Sequence, residues 1–135
     1  MKLSEQVCTL EQAIILTALG INPKLSAFEH CINGSGYPII LERDGTTRDS
    51  KPAFTVAELG VMLPNYTATW FGNNNMGETA WITDSLVSIC EGNSRYDAAP
   101  EAALNTEAEA RANRLCELLE SGKVTPDEVN TRLSA

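Results

Sequence analysis

The chain has 135 residues and a mass of 14.6 kDa, enough for one domain whose core needs no disulfide or metal staple. Apolar residues make up 43% and charged residues 21%, the balance of an ordinary globular domain, and no apolar run reaches the ~18 residues of a membrane span. Ten basic against eighteen acidic side chains give a net charge of −8 with no basic segment, so neither direct nucleic-acid binding nor docking on an anionic membrane is expected.

The opening residues, Met1-Lys2-Leu3-Ser4-Glu5-Gln6-Val7, lack the apolar stretch of an export signal, and a cytoplasmic protein is expected. Cys8, Cys31, Cys90 and Cys116 stand 23, 59 and 26 residues apart. Without a C-x-x-C, neither a zinc ribbon nor a thioredoxin motif is present, and reduced cysteines acting as small apolar residues are expected.

The sequence repeats one helix-opening pattern, Thr-x-x-Gln/Glu, at Thr9, Thr55, Thr106 and Thr125. The threonine oxygen accepts from the backbone three residues on, and the Gln or Glu reaches back, so two orphan donors of the first turn are satisfied. The first pattern opens a helix over 10–19 that stops at Gly20. It is apolar nearly all round, which predicts burial on several sides or a subunit contact.

Residues 26–33 and 36–43 flank Gly34-Ser35-Gly36 and read as a hairpin, with Pro38 marking an edge strand. The polar stretch 46–51 reads as loop. Thr55 opens a short helix over 56–63, stapled by Phe54 and Leu59 and closed by Pro64. Residues 66–71 and 78–83 read as a second hairpin around Gly72-Asn73-Asn74-Asn75-Met76-Gly77. Pairing Trp70 with Thr79 would put Tyr66, Trp70 and Trp81 on one core face.

Residues 86–90 fit a strand or a short helix, and 92–105 read as loop. Thr106 opens a helix over 107–121 with an apolar stripe of Ala108, Ala112, Leu115, Cys116 and Leu119. Thr125-Pro126 opens a last helix ending at Leu133, stapled by Val124 and Val129. The expected fold is therefore α+β: about four antiparallel strands in a sheet, helices packed on one side, and residues 123–135 as a C-terminal helical appendage of a single domain 1–135.

Three segments carry a resemblance: Leu3-Ser4-Glu5-Gln6-Val7-Cys8-Thr9-Leu10-Glu11-Gln12-Ala13, the stretch from Ala53 to Pro64, and Thr106-Glu107-Ala108-Glu109-Ala110-Arg111-Ala112. Together, and in this order over nearly the whole chain, they resemble a family of small uncharacterised proteins of phages, prophages and mobile elements of Bacteroides-type gut bacteria. The resemblance implies an intracellular α+β protein without assigned activity, and it brings no catalytic residues. Members of that family tend to carry charge after the Gln-Ala word. Here Ile14-Ile15-Leu16-Thr17 stands instead, which favours self-association through the first helix.

Chemistry-bearing residues are few and scattered. His30 is the only histidine. It adjoins Cys31, and neighbours on a strand point to opposite faces. No P-loop lysine follows Gly34-Ser35-Gly36, and no G-x-S-x-G elbow occurs. No cofactor, metal or catalytic residue is expected. The candidate contact surface is Phe71, Met76, Ile14 and Ile15. The leading expectation is an accessory protein of a phage or mobile element that acts by contact with a protein partner, with a homo-oligomer through helix one as one form of that contact. The alternative is an acidic inhibitor that mimics nucleic acid at a host or phage enzyme, and a third reading is a small thiol or hydrolytic enzyme using His30 with a cysteine.

Overall fold

The computed structural model describes residues 2–46, 48–73, 79–85 and 105–135. Four α-helices lie among them: α1 (Leu10–Ala18), α2 (Val56–Met62), α3 (Glu107–Glu120) and α4 (Pro126–Ser134). Five strands accompany them: β1 (Phe28–Ile32), β2 (Pro38–Glu42), β3 (Lys51–Ala53), β4 (Thr67–Asn73) and β5 (Thr79–Ser85). The fold is α+β with wholly antiparallel sheets and a C-terminal helix, as the sequence predicts.

All four threonines cap their helices. Thr9, Thr55, Thr106 and Thr125 each accept from the amide three residues on, and the first three form the full reciprocal box. Each such cap contributes about 1 kcal/mol. The helix ends follow suit. After α1, Gly20 takes φ +101°, its amide donates to Thr17 O, and the Ile21 amide donates to Leu16 O. After α3, Gly122 takes φ +75° and the same two bonds form from Gly122 to Leu119 and from Lys123 to Leu118. Both are left-handed glycine closures that satisfy the last carbonyls of a helix.

The helices, not the sheets, build the core. Leu16, Ile21, Phe54, Leu59, Met62, Ala108, Ala112, Leu115, Val124 and Val129 form one buried cluster. Both staples, Phe54–Leu59 and Val124–Val129, lie inside it. The C-terminal segment expected as an appendage thus shares the core of the chain through Val124 and Val129, with Leu133 packed against it.

The strands depart from expectation in three ways. They do not share one sheet: β2-β1-β3 make one sheet and β4-β5 another. β3 falls where the polar composition of 46–51 suggested loop up to Lys51, and it pairs with β1 from Phe28↔Ala53 to His30↔Lys51. The hairpin β4–β5 is also three residues out of the expected register. Trp70 faces Ile82, not Thr79, and Phe71 faces Trp81. Because side chains alternate, an odd shift turns a strand over, so the two tryptophans stand on opposite faces and form no common core face. The observed register closes seven residue pairs, down to Asn73↔Thr79. It also brings the Thr69 and Thr83 hydroxyls to 2.8 Å and sets Phe71 edge-on to Trp81 at 5.3 Å, cross-strand pairs of the kind that fix a register.

As Pro38 suggested, β2 lies at a sheet edge. The first hairpin closes on Asn33, whose side-chain oxygen accepts from the amides of Ser35 and Tyr37, and Gly36 takes φ +84°. The segment 86–104, expected as strand or helix and then loop, and Met76 lie outside the described residues.

Candidate contact surface

The rotation of α1 is set by polar and apolar groups together. Gln12 is buried within the capping box. Its Oε1 accepts from the Thr9 amide at 3.0 Å, and its Nε2 donates to Glu109 O at 2.9 Å and to Asn113 Oδ1 at 2.7 Å. One side chain therefore closes the start of α1 and ties it to α3. Ala13 and Leu16, on the same side, are fully buried. With those three residues inward, Leu10, Ile14 and Ile15 turn outward and remain 40%, 47% and 41% exposed.

Of the two expectations for α1, burial on several sides or a subunit contact, the first gives way within this chain to burial on one side. Full burial of a large aliphatic side chain is worth about 1.5–3 kcal/mol. Three of them left nearly half exposed hold back a few kcal/mol that a covering surface would release. Around them the outward face carries a single charge, Glu11.

Of the other expected contact residues, Phe71 is half-buried and is engaged by Trp81 within its own hairpin. Four further exposed apolar residues escaped sequence reasoning; Val61 and Tyr66, the latter expected on a core face, are 48% and 44% exposed. Ile32 and Tyr37 flank the first hairpin turn and are 62% and 68% exposed. A hairpin tip carries no periodicity from which such exposure could be read.

The histidine–thiol pairing can be followed for Cys8, while Cys90 lies outside the described residues. His30 is half-buried on β1, and its Nε2 lies 2.8 Å from the carbonyl oxygen of Cys8. A carbonyl only accepts, so Nε2 carries the proton. Burial lowers the His30 pKa, and the Cys8 carbonyl partly opposes this. The Cys8 thiol turns elsewhere, donating to Pro52 O at 3.8 Å, and burial pushes its pKa up to about 12. Imidazole and thiol thus share a neighbourhood without forming a nucleophile–base pair, which would need a lowered thiol pKa. Among the described residues no group of three His, Cys, Asp or Glu is placed to hold a metal ion.

The face of β1 opposite His30 holds a feature the sequence did not announce. Glu29 is 1% exposed, and Arg43 Nη1 meets its Oε2 at 3.1 Å. Arg48 Nε reaches Oε1 at 2.7 Å without hydrogen-bond alignment, and the Ser50 hydroxyl donates to Oε2 at 3.0 Å. Arg43 also donates to the Ser26 and Pro23 carbonyls, so the network clamps the segment before β1 to the strand after the turn. A buried carboxylate with this many donors is a structural tie. Only a single acid in an otherwise alternating strand marked it in the sequence.

No family model matches the chain, and no curated protein or solved structure does either. Among the described residues, no helix is long and apolar enough to cross a membrane.

Proposed function

We propose that this chain is a binding protein that works by contact with another protein, and that the outward face of α1 is its contact surface. The phage or mobile-element setting implied by the three sequence segments belongs to the same proposal. One observation carries it: Leu10, Ile14 and Ile15 stand together on the solvent side of a helix whose opposite side is fully buried. The rotation of that helix is fixed by Gln12, so the apolar face is a stable surface. A net charge of −8 disfavours an anionic lipid surface as the occupant, while an uncharged aliphatic strip suits the apolar centre of a protein interface.

The test is photocrosslinking in the cells that make the protein. A benzoylphenylalanine at position 14 is expected to yield one discrete protein adduct, and the same group at position 127 none. An adduct of twice the chain mass would identify the partner as a second copy. Equal, diffuse labelling from both positions would overturn the reading.

A further inference from the structure

A cleft of about 600 Å³ opens between α2, the start of β4, α3 and α4, and two arginines stand in its wall. Arg111, from α3, donates to Val56 O at 3.3 Å and pairs with Glu107 at 2.8 Å. Arg132, from α4, donates to Leu63 O at 3.4 Å. Among the described residues Arg132 is the only arginine without a carboxylate within 4.0 Å; Arg43, Arg48, Arg111 and Arg114 each have one. Arg111 Nε and Arg132 Nη2 are buried with no hydrogen-bond partner. The acid nearest in sequence, Glu128, also lines the cleft, but its Oε1 accepts from the Thr125 hydroxyl at 3.1 Å, within the α4 cap.

A guanidinium cannot shed its proton. Arg132 is half-buried, so its charge stays, unpaired, at a place where water compensates it poorly. An oxyanion in the cleft would cancel that cost, and its paired oxygens match the fork of guanidinium donors. The cleft mouth adds exposed Val61 and Tyr66, an aliphatic and an aromatic wall. Its volume is in the range of small-ligand sites, which combine apolar walls with a few convergent polar groups.

We infer that this cleft binds a small organic anion: a carboxylate or phosphate monoester on an aromatic or aliphatic body, anchored by Arg132, with Arg111 as the second donor and Tyr66 and Val61 against the body. The site is independent of the α1 surface.

Calorimetric titration of the full chain with phenyl phosphate, benzoate and benzyl alcohol tests it. At least one of the two anions is expected to bind saturably, and whichever binds more tightly tells phosphate from carboxylate. Benzyl alcohol, with the same ring and no charge, is expected to bind about tenfold more weakly or worse. Arg132→Met should weaken the anion by a similar factor with the circular dichroism spectrum unchanged. Should that variant not fold, Gly60→Ala, which displaces the Arg111 guanidinium, is expected to weaken binding in its place. Binding of neither anion, equal binding of the alcohol, or wild-type affinity in a folded Arg132→Met protein would overturn the inference.

Discussion

Gly60 and Arg111 share one space: a methyl group on Gly60 would overlap Arg111 Nη1. The guanidinium of α3 crosses α2 at the one position that lacks a side chain, and from there it reaches Val56 O. Gly60 has no positive φ and sits within a helix, so close approach, not backbone freedom, gives it its role.

Gly60→Ala should therefore set two effects against each other. Alanine in place of glycine in a helix gains up to about 1 kcal/mol. Displacing Arg111 loses a long hydrogen bond and a partly exposed ion pair, together worth about the same. The urea midpoint is expected to stay within about 0.5 kcal/mol of wild type. A loss of several kcal/mol would show that the Arg111 seat is far more rigid than its geometry suggests.

The two sides of α1 should respond in opposite ways to substitution. Leu16→Ala empties a fully buried site and is expected to cost about 2–5 kcal/mol. The double change Ile14→Lys, Ile15→Lys alters only the exposed face and should stay within about 0.5 kcal/mol. Chemical denaturation of the three proteins checks this, and a large loss in the lysine variant would mean that the isoleucines are covered in the free chain.

Removing the charge of Glu29 should be costly. Glu29→Gln keeps the shape but leaves Arg43 and Arg48 facing a neutral amide. Breaking a fully buried pair costs about 3–5 kcal/mol, and because both arginines are about a quarter exposed we expect about 2–3 kcal/mol. Equilibrium unfolding at neutral pH measures it, and Arg43→Met should reproduce part of the loss.

Stability should fall on mild acidification because of His30. Its folded-state pKa lies below the ordinary 6.5, with burial the main cause. The unfolded chain then binds the proton more readily, so stability is full above pH 6.5 and declines as the pH drops below it. Urea midpoints taken downward from neutral pH should slope accordingly, and His30→Gln should flatten the slope. Asp44 acts lower on the scale. The Thr46 amide and hydroxyl and Arg48 hold its pKa near 2 against an ordinary 3.8, so its contribution is present above pH 3.8 and is lost as the pH falls towards 2.

The Cys8 and Cys116 thiols should be inert in the folded protein. Burial raises Cys8 to about 12 and Cys116 to about 11, so almost no thiolate exists at pH 8. Iodoacetamide followed by mass spectrometry should leave both unmodified natively and alkylate both in urea. Rapid native labelling of Cys8 would revive the thiol–imidazole reading.

The sequence by itself determined what depends on a few neighbouring residues. The four threonine caps, the glycine closures at Gly20 and Gly122, the Phe54–Leu59 staple and the edge position of Pro38 are local devices. Each is satisfied within a turn or two of chain, so the residues that make it stand next to each other. Only the tertiary structure decided what depends on distant partners. Which side of α1 faces inward rests on Gln12 meeting Glu109 and Asn113, about a hundred residues away. The tryptophans part because a three-residue shift turns β5 over, and turn composition does not fix a register. Glu29 is buried because Arg43 and Arg48 come to it, and Arg111 reaches Val56 O across α2 because Gly60 leaves room for it. These are packing and charge-pairing outcomes. Their energy lies in contacts between segments far apart in the chain, and no window of neighbouring residues contains both halves.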